Sequence, residues 1–196
     1  MDNIQQTFDT NTFAILRVCK AVVPSMAKRR SGTIVNIGSI VGEMYAVVCC
    51  NLFITWIVLN HISPTPWNGL YSAAKAAVHN ISEVLFMELK PFNISVLHVA
   101  PGAVKSNISS NGIARFVLAP DTLYSDFLSF IIKRIHASQG PGSMPSKDFA
   151  QQVVSNALRK NPPRYMSIGG STWLIKWLKW LPRGFVLAYM WRLFAT

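Results

Sequence analysis

The chain has 196 residues, of which 51% are hydrophobic and only 14% are charged, and its formal net charge is +11. This composition excludes an intrinsically disordered protein and provides enough residues for one domain with a substantial core. The basic residues are scattered rather than interleaved with aromatic side chains, so we expect no nucleic-acid partner. Anionic lipid or a phosphorylated substrate accounts better for the charge. The three cysteines offer no disulfide framework, and we expect no metal site.

Two apolar runs separated by a helical segment predict a βαβ unit. Residues 32–39 are apolar and β-branched and end on Ser39, and residues 94–102 are a similar run that ends in Pro-Gly. Between them, residues 71–89 have helical periodicity. Parallel strands with a crossover helix bind ligands beyond their carboxyl ends, where Ser39, Tyr71 and the Pro-Gly turn are expected to converge.

Tyr71 and Lys75 lie four residues apart and therefore one turn apart on the same face of the predicted helix. A neighbouring ammonium group stabilises a phenolate, so we expect Lys75 to lower the pKa of Tyr71 from its ordinary value of about 10. Such a phenol can donate a proton to a carbonyl oxygen during ketone reduction. Taken alone, this spacing is weak evidence, because Tyr and Lys four residues apart usually form a solvated helix face.

The C-terminal residues 171–196 combine tryptophans with basic residues and contain no Asp or Glu. Pro182 and Gly184 divide the segment into two short helices, neither long enough to span a bilayer. Tryptophan and snorkelling cations are typical of the membrane interface, so we predict a monotopic, membrane-associated helical tail. Alternatively, these aromatics cap the core or line the entrance for an apolar substrate, and both roles can coexist. The tryptophans are Trp173, Trp177, Trp180 and Trp191.

Together these motifs resemble the short-chain dehydrogenase/reductase family, whose catalytic tetrad is Asn, Ser and Tyr-x-x-x-Lys followed by a Pro-Gly turn. The resemblance covers most of the chain. It implies that Tyr71 donates a proton to the carbonyl oxygen, that Ser39 hydrogen-bonds this oxygen, and that Lys75 holds the ribose hydroxyls of the cofactor. It further implies that Asn11 positions a water molecule that relays protons to Lys75. The catalytic residues implied are Asn11, Ser39, Tyr71 and Lys75.

The same resemblance implies a nicotinamide cofactor, with NADPH preferred over NAD. It also implies the fold, an α/β domain with a partial Rossmann-type, doubly wound parallel sheet whose strands lie near residues 33–39, 94–100 and 165–169. The residues implied to contact the cofactor are Tyr71, Lys75, Pro101, Gly102, Val104 and Ser106.

No glycine-rich turn of the kind that seats a dinucleotide pyrophosphate precedes Asn11. We therefore interpret the chain as an N-terminally truncated, C-terminal part of a short-chain reductase, with one former interior edge of the sheet exposed. We divide it into a partial reductase domain, residues 1–170, and the tail, residues 171–196. A catalytically inactive, membrane-associated fragment is the alternative.

An apolar insertion at residues 44–62 contains no Asp, Glu, Lys or Arg. Family members usually place the tyrosine about thirteen residues after the serine, whereas 71 − 39 gives 32 here. A membrane-spanning helix, a buried helical insert and a translated intron are the three interpretations. We prefer the intron, because replacing residues 44–63 by one isoleucine codon restores a gap of about thirteen.

In this family, the segment that corresponds to residues 106–145 forms a mobile cover over the substrate, and here it is strongly apolar. With residues 65–69 and the Trp-rich tail, the pattern resembles the fungal reductases of 1-acyl-dihydroxyacetone phosphate. This implies NADPH-dependent formation of lysophosphatidic acid, in phosphatidic acid biosynthesis, at the cytoplasmic face of the endoplasmic reticulum membrane or at lipid droplets. A steroid 17β-dehydrogenase-like reductase is a close alternative, and the resemblance also allows a homodimer.

Overall fold

The computed structural model describes residues 2–43, 47–51, 54–58, 65–178 and 180–196. A π-helical segment, Asp9–Phe13, joins the first two helices. The helices and strands in chain order are α1 (Asp2–Phe8), α2 (Ala14–Arg29), β1 (Gly32–Ile37), β2 (Val47–Asn51), β3 (Ile54–Val58), α3 (Gly69–Leu89), β4 (Ile94–Pro101), α4 (Ile108–Arg115), α5 (Leu128–His136), α6 (Ser146–Ala157), β5 (Tyr165–Ile168), α7 (Thr172–Leu178) and α8 (Arg183–Ala195).

Three parallel strands form the central sheet, in the order β1-β4-β5. Ile37 pairs with Val99 and Pro101 pairs with Ile168, so the carboxyl ends of the three strands meet at one edge. This arrangement confirms the predicted α/β fold with strands near residues 33–39, 94–100 and 165–169. Strand β4 is buried along most of its length because it is the central strand, and a strand covered on both faces has no solvated side.

Helices cover both faces of the sheet, as in a doubly wound fold. On one face, Ile94 and Val96 pack with Cys19 of α2 and the end of α3. On the other face, Leu97 and Val99 pack with α6. Successive side chains of a strand point to opposite faces, which explains why the two pairs belong to different clusters.

The tail contributes to the core and also presents a second, exposed face. Ile175 and Leu178 of α7 and Val186 and Met190 of α8 are buried against the turn after β1 and the end of β4. In the described part of the chain, no helix is long and apolar enough to cross a membrane. The exposed face carries three tryptophans that are each about two thirds exposed: Trp173 (66%), Trp177 (69%) and Trp180 (71%).

The described part of the insertion is a β-hairpin. Two of its three interpretations, the membrane-spanning helix and the buried helical insert, predicted a helix there. Strands β2 and β3 pair antiparallel, from Val47 with Val58 to Asn51 with Ile54. Most of the residues in these strands are β-branched or aromatic, and such residues favour a pleated strand over a helix. The rest of the insertion and Ser63 lie outside the described residues.

Candidate active site

Ser39 lies at the carboxyl edge of the sheet, two residues after β1 ends. The backbone of Gly38 donates to the carbonyl oxygen of Val99 at 2.7 Å, which holds the end of β1 against β4. Ser39 then leaves the strand in an extended conformation, and its hydroxyl accepts from the backbone of Val41 at 3.4 Å. This bond begins a short 3₁₀ turn, Ile40–Gly42, which redirects the chain onto α3.

Gly42 brings this turn into direct contact with α3. A Cβ atom at position 42 would overlap the backbone of Lys75 and Ala76, so only glycine permits this approach. The turn therefore lies on α3 at the level of Lys75, one helical turn from Tyr71.

The structure brings three of the four predicted catalytic side chains together. Ser39 acts on the Tyr71 phenol through a side-chain hydrogen bond that lowers its pKa, so the two hydroxyls are neighbours. The Nζ atom of Lys75 lies 5.7 Å from the centre of the Tyr71 ring and donates to the carbonyl oxygen of Ile37 at 3.0 Å. A carbonyl group that replaced the bond between the Ser39 and Tyr71 hydroxyls would meet two hydrogen-bond donors.

The predicted lowering of the Tyr71 pKa is wrong, because the net shift of this pKa is upward. Burial of the phenol raises the pKa of Tyr71, although the hydrogen bond with Ser39 and the positive charge of Arg134 both act to lower it. Burial likewise lowers the pKa of Lys75. Both shifts have the same cause, because a charged form loses more hydration than a neutral form when it is removed from water. Tyr71 is therefore held as a protonated phenol, the form that a proton donor requires.

Asn11 lies in the π-helical segment between α1 and α2, a local geometry that is frequent at functional sites. Its amide nitrogen donates to the carbonyl oxygen of Thr7 at 2.9 Å. The next residue, Thr12, donates its hydroxyl to the carbonyl oxygen of Ala74 at 3.0 Å and thereby fixes the segment on α3 beside Lys75. Within the described residues, Asn11 makes no hydrogen bond to Lys75, and its role in positioning water stays a prediction.

The predicted cofactor turn follows β4 at the same edge as Ser39. Pro101 ends the strand, and the backbone of Gly102 donates to the carbonyl oxygen of Ile168 at 2.8 Å. The carbonyl oxygen of Val104 accepts from a glutamine side chain at 3.5 Å, and the hydroxyl of Ser106 accepts from the backbone at the start of α4 at 3.4 Å. These contacts place the four residues at the expected edge, and their contact with a nicotinamide stays a prediction.

An aromatic cavity of about 660 Å³ lies between residues 65–67, which precede α3, the cover segment and the tail. The Trp67 ring contacts Tyr124, Phe127 and Trp191 with ring centres 5.5, 5.2 and 5.9 Å apart. The Trp67 indole nitrogen also donates to the carbonyl oxygen of Phe194 at 3.1 Å. Helix α8 therefore forms one wall of this cavity, and the expectation that tail aromatics line an entrance for an apolar substrate stays a prediction.

Arg134 is a residue of this site that the sequence analysis missed. Its Nε atom donates to the hydroxyl of Thr65 at 2.8 Å, and its Cζ atom lies 5.3 Å from the centre of the Phe194 ring. Thr65 lines the aromatic cavity, and the charge of Arg134 acts on Tyr71, so this cation lies between the phenol and the cavity. In the sequence, a basic residue in the last turn of a helix indicates only a favourable interaction with the helix dipole.

The family model of the short chain dehydrogenases matches residues 1–51 and 58–114, which is more than half of the chain. The chain belongs to this family. Short-chain dehydrogenases are oxidoreductases that bind NAD(P). The match is interrupted between residues 51 and 58, inside the apolar insertion.

Several short-chain dehydrogenases are similar to this chain over most of its length. The 3-ketodihydrosphingosine reductase of Bacteroides thetaiotaomicron is 30% identical over 195 residues, which cover 98% of this chain and 65% of that protein. Retinol dehydrogenase 8 of Homo sapiens is 29% identical over 168 residues, which cover 82% of this chain and 47% of that protein. A solved short-chain dehydrogenase from Streptomyces avermitilis has the same fold, with a TM-score of 0.61 and 24% identity over 89% of this chain and 55% of that one. The chain thus spans about half to two thirds of the length of these relatives.

A buried polar cluster lies beneath the carboxyl edge of the sheet in this member of the short-chain dehydrogenase family. The rings of His79 on α3 and His98 on β4 are buried with their centres 4.7 Å apart. The Nδ1 atom of His98 lies 3.3 Å from the hydroxyl of Ser82, to which the amide of Asn36 donates at 3.0 Å. Burial, followed by the positive charges of His79 and Lys75, lowers the pKa of His98 to about 3. His98 is therefore neutral at neutral pH.

This cluster predicts acid sensitivity. The pKa of His98 is 6.5 in the unfolded reference and about 3 in the fold, so below pH 6.5 the unfolded chain binds a proton that the folded chain does not. The contribution of neutral His98 to the free energy of unfolding is fully present above pH 6.5. This free energy then decreases as the pH falls towards 3, by at most about 1.4 kcal/mol per pH unit. We expect His98→Gln to flatten the pH dependence of the free energy of unfolding, measured by urea denaturation. His136→Gln, which changes an exposed ring, is the control, and equal slopes for both variants would contradict the assignment.

Proposed function

We propose that this chain reduces the ketone of a lipid-like substrate with NADPH and that Tyr71 is the proton donor. The hydrogen bond between Ser39 and Tyr71 at the carboxyl edge of the sheet carries the proposal. Tyr71 and Lys75 fit the nicotinamide end of the cofactor, which supplies the hydride when it is bound. As the carbonyl double bond opens, its oxygen takes the proton of Tyr71, Ser39 stabilises the negative charge that develops there, and an alcohol results.

For the substrate, we propose 1-acyl-dihydroxyacetone phosphate, which would yield lysophosphatidic acid. The aromatic cavity of about 660 Å³ suits an acyl chain, and the net charge of +11 suits an anionic lipid. Two relatives are named for apolar substrates, ketodihydrosphingosine and retinol. A steroid-like ketone is the alternative within the same reaction class.

We propose further that the tail docks the chain on a membrane, at the cytoplasmic face of the endoplasmic reticulum or on a lipid droplet. Trp173, Trp177 and Trp180 expose about two thirds of their surface, and basic residues stand between them. Tryptophan rings and snorkelling cations are favoured at headgroup level, whereas in water these rings leave a large apolar area exposed. Because the opposite face of the tail is part of the core, docking would require no rearrangement of the fold.

For the insertion, we propose that residues 44–62 are encoded by a retained intron. The spacing supports this interpretation, because excision brings Ser39 and Tyr71 back to the usual family separation. The family match includes both ends of the segment and is interrupted only between residues 51 and 58. Transcript sequencing is expected to find a spliced form in which isoleucine replaces residues 44–63. Transcripts that always retain the segment would refute the proposal.

The purified chain is expected to bind NADPH saturably, measured by nicotinamide fluorescence, and to oxidise it when 1-acyl-dihydroxyacetone phosphate is added. Tyr71→Phe removes the donated proton and preserves the ring, so kcat/KM should fall about 100-fold or more. Tyr189→Phe, which removes a hydroxyl from α8, is the matched control and should remain active. Absence of saturable NADPH binding would favour the inactive, membrane-associated alternative, and activity retained by Tyr71→Phe would exclude the proposed role.

The exposed tryptophans predict binding to lipid vesicles. The double variant Trp173→Ala and Trp177→Ala removes two neighbouring rings from one face of α7, and the partition coefficient onto vesicles of mixed neutral and anionic phospholipid should fall about tenfold or more. Co-sedimentation measures this partition. The control is Leu158→Ala, which removes an exposed apolar side chain (80% exposed) outside the tail. Leu158 follows α6, on the face of the sheet opposite α2. Equal binding by the double variant and the control would contradict membrane docking.

A further inference from the structure

The guanidinium group of Arg134 is partly buried and has only uncharged partners. These partners are the hydroxyl of Thr65, at 2.8 Å from Nε, and the ring of Phe194, with its centre 5.3 Å from Cζ. Among the described residues, no carboxylate lies within ion-pair distance of Arg134, and the remaining residues of the chain include no Asp or Glu. A cation that is removed from water without a counter-charge is costly, so the site is incomplete without an anion.

Arg134 also has N–H groups that donate to no acceptor among the described residues. A guanidinium group carries five N–H donors in a planar fork, which matches the oxygens of a phosphate group in a bidentate arrangement. Only Nε–H donates to a protein acceptor in the described part of the chain, so the two terminal amino groups are available to a ligand. Lys75, the other cation near Tyr71, directs its ammonium group at the carbonyl oxygen of Ile37.

The position of Arg134 fits the covalent structure of an acylated ketone phosphate. In such a molecule, one methylene and one oxygen separate the carbonyl carbon from the phosphorus, so the phosphate must lie close to whichever residue protonates the carbonyl oxygen. Arg134 is near enough to Tyr71 for its charge to act on the phenol. Its other neighbour, Thr65, lines the aromatic cavity that would receive the acyl chain.

We propose that Arg134 binds the phosphate group of the ketone substrate while the acyl chain occupies the aromatic cavity. This inference rests on the proposed function and extends it, because it makes Arg134 the residue that selects phosphorylated ketones over neutral ones. Thr65 and Phe194 are then positioning residues that hold the guanidinium fork between Tyr71 and the cavity.

The test measures binding without cofactor, by calorimetry with octanoyl lysophosphatidic acid and with octanoylglycerol, which has the same chain and no phosphate. Arg134→Met should weaken binding of the phosphate ligand about 10- to 100-fold, the range expected for hydrogen bonds to a charged group, and leave binding of octanoylglycerol within about threefold. Lys133→Met removes a charge from the neighbouring exposed residue and should change neither affinity. Thr65→Val keeps the charge, removes its anchor, and should weaken binding of the phosphate ligand alone by several-fold.

Three outcomes would overturn the inference, two in the binding test and one in the reduction assay. Equal losses in Arg134→Met and Lys133→Met would mean that only the net charge matters. Equal losses for both ligands in Arg134→Met and in Thr65→Val, with unchanged circular dichroism, would mean that the arginine maintains the cavity rather than binding phosphate. Phosphate-selective binding without any ketone reduction would refute the proposed function and leave this inference standing. Reduction of phosphorylated and neutral ketones at equal rates would support the proposed reduction and overturn this inference about Arg134.

Discussion

The contact between the turn Ile40–Gly42 and helix α3 is the constraint on which the site depends. Ser39 arrives from the sheet and Tyr71 from the helix, and only a glycine at position 42 lets the two backbones approach closely enough for their side chains to share a hydrogen bond. The insertion enters the chain just after this turn and leaves it before α3. Its length therefore changes the sequence separation of the two hydroxyls without changing the surface on which they meet.

Burial controls the charges around this contact. Tyr71, Lys75 and Arg134 all have pKa values displaced towards their neutral forms, and desolvation is the largest cause in each case. The same loss of water strengthens the interaction of each group with a ligand charge, because the local dielectric response is weaker than that of bulk water. In the proposed function, these groups would recognise the carbonyl and the phosphate of the substrate.

The tail connects the site to the surface of the molecule. Val186 and Met190 of α8 are core residues, and Trp191 on the same helix contacts the aromatic cavity. The preceding helix exposes tryptophans on its outer side. In the proposed function, the segment that docks on a lipid surface is also a wall of the cavity that receives the lipid-like substrate, which gives such a substrate a short path from the bilayer.

The sequence by itself determined the strands β1, β4 and β5, the helix that carries Tyr71 and Lys75, and the family resemblance, because these depend on local periodicity and on residues close together in the chain. Only the tertiary structure decided the raised pKa of Tyr71, the contacts of Arg134 and the double-faced packing of the tail. Each of these depends on burial or on partners distant in sequence: Arg134 and its hydrogen-bond partner Thr65 are 69 residues apart, and no local pattern encodes that contact. The hairpin β2–β3 shows the same limit, since a short apolar run fits a helix and a strand equally well until its pairing partner is known.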